Sequence, residues 1–177
     1  KYLSTKNNVG PLLEIPFSIR DSIKNFGYAN TFWSSYTQLI HKQQIFGAYT
    51  GRIPNIIFSY YLRNPLIGTI GRIIDPSTNP IDYQSHVTKY GEENLKNTLD
   101  FYDLKYVILK QNEKYSSFIS NLLSSLGFKK IKDDNFYSLW IYKPKKIYLT
   151  KVNFDSTLDE LVLGSGWSEK EEGQKSR

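Results

Sequence analysis

The run from Glu113 to Leu126 constrains the fold more than any other part of the chain. Tyr115, Phe118, Ile119, Leu122, Leu123 and Leu126 recur at the spacing of one helix face, and Gly127 supplies the expected stop. Just before it, Lys105–Lys110 (KYVILK) is β-branched and flanked by lysine, which suits the centre of a sheet. Just after it, Phe128–Ile131, a polar turn at Asp133, Asp134 and Asn135, and Phe136–Tyr142 read as a hairpin. Strand, helix and hairpin in that order predict an α/β fold, a mixed-sheet sandwich with flanking helices. With 40% apolar and 15% aromatic residues, the chain has the material for a core.

The first half is less regular. Leu12–Phe17 is an apolar strand that must end at Pro16. Residues 30–42 predict a helix capped by Asn30 or Thr31, with Phe32, Tyr36, Leu39 and Ile40 facing inward and Trp33 beside them. Pro54 opens a second helix, Asn55–Leu62. Asn64–Pro80 holds three prolines and two glycines, and its pattern fits a short helix or an irregular crossing equally. A further helix is expected from about Gly91 to Tyr102, with Leu95, Leu99 and Tyr102 inward, and a last strand over Ile147–Phe154. This gives one domain over residues 1–155. A charged tail at 156–177 is expected to be poorly ordered, or to be the truncated start of a β-rich module.

Composition removes several function classes. There is no Cys, hence no disulfide, thiolate metal site or Cys nucleophile. There is no Met either, and a chain opening at Lys1 reads as a piece of something longer. No apolar run approaches the roughly 20 residues that cross a bilayer, so the segment itself is expected to be soluble. The net charge of +6 permits an acidic partner. Its densest groups, Lys129, Lys130 and Lys132, then Lys143, Lys145 and Lys146, flank the hairpin. Lysines there protect a sheet edge from pairing with other chains. The alternative reading is a stand-alone nucleic-acid-binding or accessory module; no RNP-like or OB-like pattern accompanies the lysines, so nucleic acid is disfavoured. No P-loop, GxGxxG or GxSxG string is present, and no cofactor is expected.

Two residues invite chemistry. Glu14 lies within an apolar strand and needs a partner if it turns inward; Arg52, planar and bidentate, is the natural one. His41 closes the predicted helix, where the plain reading is a cap on its last carbonyls and the functional one a contact in a binding cleft. His41 and His86 lack neighbours at metal-ligand spacing. A hydrolase using Glu14 and His41 would need both within hydrogen-bond reach of one substrate.

LLEIPFSIRD followed by YTQLIHKQQIFGAYTGRIP resembles a stretch in the soluble tail of polytopic membrane proteins related to GT-C-type glycosyltransferases. Glu14 and Pro16 match the first element of that stretch. Tyr36, Gln38, His41, Ile45, Gly47, Tyr49, Arg52 and Pro54 match the second. LKNTLDFYDLKYVILK corresponds to a later helix and strand, and LGSGWSEKEEG to the opening of a further extracytoplasmic module. Gln43, Gln44 and Ala48 depart from the pattern, which has a Gly-Lys or Lys-Pro pair and a glycine there. The resemblance implies a membrane-attached, extracytoplasmic domain whose partner is the transmembrane portion of its own polypeptide. A glycan or lipid-linked sugar would be the ligand in reach, with Glu14, Gln38, His41, Tyr49 and Arg52 lining or bracing the surface. It transfers no catalytic residue, since the catalytic acid of such enzymes lies in loops between membrane helices.

Overall fold

A computed structural model of the chain describes residues 11–28, 36, 38–39, 41–46, 48–49 and 53–145. In chain order its strands are β1 (Leu12–Ile15), β2 (Ser18–Arg20), β3 (Asn25–Gly27), β4 (Ala48–Tyr49), β5 (Tyr106–Lys110), β6 (Lys129–Asp133) and β7 (Tyr137–Ile141). Its helices are α1 (Asn55–Arg63), α2 (Pro65–Ile73), α3 (Tyr83–Thr88), α4 (Glu92–Phe101) and α5 (Ser116–Ser125), with a 3-10 turn at Pro80–Asp82 before α3.

The main sheet has the order β1-β5-β7-β6. β1 runs parallel to β5, and the β5–β7 and β7–β6 pairs are antiparallel, so the sheet is mixed and the fold is α/β. Side chains of β1 and β5 alternate between the two faces of the sheet, and both faces are covered. Leu13, Ile15, Val107 and Leu109 join the large core beneath the helices, whereas Leu12 packs with Tyr106 and Leu139 on the other face. Pro16 ends β1, as expected, and the chain then enters a second sheet of order β3-β2-β4. That small sheet was not foreseen: strands of two or three residues leave too short a run for an alternation to register.

The segment left open at residues 64–80 begins with the most buried helix. Leu66, Ile67, Ile70 and Ile73 of α2 are each 1% exposed or less. Asn64 joins two helices: its backbone N–H bonds Tyr60 O at the end of α1, and its Oδ1 accepts from Ile67 N at the start of α2. Pro65 stands in the first turn, where a missing N–H costs nothing. Arg72 reaches back from α2, its Nη1 donating to Gly68 O and its Nη2 to Leu62 O, each at 2.8 Å.

The helix expected over residues 30–42 is corrected at two of its inward positions. Tyr36 and Leu39, expected to face the core, are 50% and 75% exposed. Tyr36, Gln38, Leu39 and His41 do have helical backbone, and of these four His41 is the buried one, at 6%. A carboxylate waiting on β1 outweighs the apolar pattern. Phe32, Trp33, Ile40, the strand expected over residues 147–154 and the boundary near residue 155 lie outside the described residues.

Candidate functional site

β1 has two neighbours. β5 lies on one side; on the other, Leu12 N donates to Gln44 O at 2.7 Å and Phe46 N to Leu12 O at 3.2 Å. Lys42, at φ 57°, turns the chain out of the helical segment and along β1. This turn brings His41 over Glu14, with Nε2 3.1 Å from Oε1. The other ring nitrogen is also engaged, because Nδ1 accepts the Gln43 N–H at 3.0 Å. An Nδ1 that accepts carries no proton, so the ring proton sits on Nε2 and is donated to the carboxylate. Gln43 Nε2 donates to His41 O and Gln38 Nε2 to Gln43 O, which ties the turn back onto the helical segment. The side chains of His41 and Glu14 are only 7% and 12% exposed.

This geometry decides between holding and reacting. A general base needs a lone pair within reach of a substrate proton. The lone pair of His41 is on Nδ1 and faces a backbone amide. The pair therefore braces a strand against a turn. His41 was expected to cap carbonyls; instead its ring meets a carboxylate and an N–H.

Of the other candidates, Gln38 belongs to the same network. Tyr49 lies on β4, where its backbone pairs with Arg20. Arg52, the expected partner of Glu14, lies outside the described residues. Among the described residues no three His, Asp or Glu side chains gather as metal ligands would. His86 sits apart on α3; partial burial, then the nearby Arg72 charge, hold its pKa below the ordinary histidine value.

Two constellations escaped the sequence reading. Asp21 is buried in the turn between β2 and β3, where Oδ1 accepts from Ile23 N (2.8 Å) and Lys24 N (2.6 Å). Oδ2 accepts from Ile53 N at 3.0 Å, which staples the turn to the entry of α1. Three backbone donors, led by Lys24 and then Ile53, draw its pKa down from 3.8 to about 2. The second lies where α1 meets α4. Tyr60 and Tyr102 share a hydroxyl–hydroxyl bond of 2.6 Å, and Asn64 Nδ2 donates to Tyr102 Oη at 3.0 Å. Burial and the Tyr60 hydrogen bond raise the Tyr102 pKa well above the ordinary phenol value. The Asn-Pro pair at residues 64 and 65 was the available sequence signal for this corner.

The basic hairpin resolves as a sheet edge. β6 is the outer strand, all five of its residues are exposed, and Lys130 pairs with Asp133 at 2.8 Å while lying over the Trp140 ring. Comparison of the chain with protein-family models, with curated proteins and with solved structures finds no match.

Proposed function

We propose that this chain is a non-catalytic α/β domain on the extracytoplasmic side of a polytopic, glycosyltransferase-like membrane protein. It packs on the membrane-embedded portion of its own polypeptide and helps to shape a sugar or acceptor site there. What carries the reading is the fate of the residues behind the resemblance. Glu14, Gln38 and His41, three of its matched positions, belong to one hydrogen-bonded clasp in which both ring nitrogens of the histidine are occupied. Residues matched in order and used as a brace suit a domain that is positioned by its parent and leaves the chemistry elsewhere. No helix among the described residues is long and apolar enough to cross a membrane, so the spans would belong to other parts of the polypeptide. Sequencing the gene upstream of the Lys1 codon tests this. Several apolar spans of about 20 residues are expected, and an upstream region without any would overturn the proposal.

A further inference from the structure

We propose that the cleft between the end of α1 and one face of α4 binds a saccharide carrying a carboxylate. The cleft is a shallow, open groove of about 450 Å³, inside the range of roughly 300–1,000 Å³ typical of small-ligand sites. Tyr60, Arg63 and Asn64 line it from the α1 side, and Asn97, Phe101 and Tyr102 from the α4 side.

Its aromatic walls are open but held in place. Tyr60 is 53% exposed and Phe101 61%. Tyr102 fixes both: its hydroxyl bonds that of Tyr60, and its ring packs edge-on against Phe101 at 5.3 Å between centroids. Asn64 in turn holds Tyr102 and is itself fixed as the cap of α2. Side chains ordered before binding lose little entropy when a ligand arrives. Rings of this kind present an electron-rich face to the slightly positive C–H groups on the flat side of a sugar.

The polar groups specify the rest of the ligand. Neither the Arg63 guanidinium nor the Asn97 amide has a hydrogen-bond or ion-pair partner among the described residues. No Asp or Glu lines the cleft. The amide offers a donor and an acceptor, the pairing that sugar hydroxyls need. The guanidinium offers a planar fork that a carboxylate fits with two parallel bonds. With a single cation lining the cleft, a monoanionic carboxylate balances the charge; a phosphate dianion would leave charge uncompensated.

The test uses the full 177-residue chain with three probes: a short oligogalacturonate, the neutral galactose oligosaccharide of the same linkage, and glucose phosphate. Saturation-transfer NMR and titration calorimetry read the binding, and thermal unfolding checks that the exposed variants R63Q and F101A remain folded. Saturable binding of the uronate is expected, about tenfold tighter than that of the neutral sugar. R63Q should erase this preference while leaving neutral-sugar binding in place, and F101A should weaken both sugars. No saturable binding of either sugar at about 10 mM would overturn the proposal. So would folded variants that bind unchanged, or glucose phosphate binding more tightly than the uronate. Sugar binding in this cleft does not require attachment to a membrane protein, so either property can be absent while the other is present.

Discussion

A carboxylate surrounded by backbone amides stabilises the fold only while it is charged, and Asp21 is placed in that way. Its folded pKa, about 2, lies below the ordinary 3.8. Its contribution is therefore fully present above the ordinary value and is lost as pH falls through the folded one. Asp21→Asn should lower the melting temperature near neutral pH, and its deficit against the parent should shrink as the pH drops from about 4 towards about 2. Urea unfolding across that range reads the difference; a constant deficit would show that the charge does not matter. At the clasp, His41→Ala removes a hydrogen bond to a carboxylate and the acceptor of the buried Gln43 amide. A loss of about 1–3 kcal/mol is expected in chemical denaturation. Half of each constellation was legible. A polar residue opening the Asp21–Lys24 turn is ordinary turn chemistry, but its third bond goes to Ile53, 32 residues away, and no local pattern announces that. For His41, position at a helix end suggested a cap, whereas the strand that supplies its true partner lies 27 residues earlier.

Among the elements, α5 and α2 show when a helix declares itself. α5 is periodic on one face and closes with Gly127 at φ 96°, where Phe128 N bonds Leu123 O and Gly127 N bonds Ser124 O. All of that is local, so the sequence predicts it within a few residues. α2 does carry a helix period, with Leu66, Ile67, Ile70 and Ile73 set against Gly68, Thr69, Gly71 and Arg72, but its two glycines argue against a helix by about 1 kcal/mol each. Tertiary packing reverses that argument. A Cβ at Gly71 would lie 2.3 Å from the Phe26 ring of β3, and one at Gly68 would lie 2.6 Å from Leu62 O, the carbonyl that Arg72 also holds. Gly68→Ala, although it raises helix propensity, should destabilise by about 1–3 kcal/mol because backbone must move. A melting temperature equal to or above that of the parent would refute the close-packing account.

For the whole molecule, the strand order fixes where the structure opens last. β5 lies between β1 and β7, both faces of its sheet are packed, and Val107 and Leu109 are fully buried, whereas β6 is an exposed edge. Native-state hydrogen exchange should rank the β5 amides among the slowest, near the global unfolding limit, and the β6 residues well below them. Equal protection in β5 and β6 would contradict the topology. The α/β class followed from the C-terminal half, where strand, helix and hairpin adjoin one another in sequence. The partner of β1 did not, because parallel neighbours are joined by long crossings that leave no local trace. That crossing also has a cost in time. Leu12 must wait for Tyr106, which leaves the ribosome about 90 residues later, or roughly 5–20 s at ordinary rates of synthesis. For much of that interval the apolar strand bearing Glu14 has only the Gln44–Phe46 segment beside it and an unfinished core. Closure of β1 onto β5 is thus a late step of synthesis, one that the finished fold conceals.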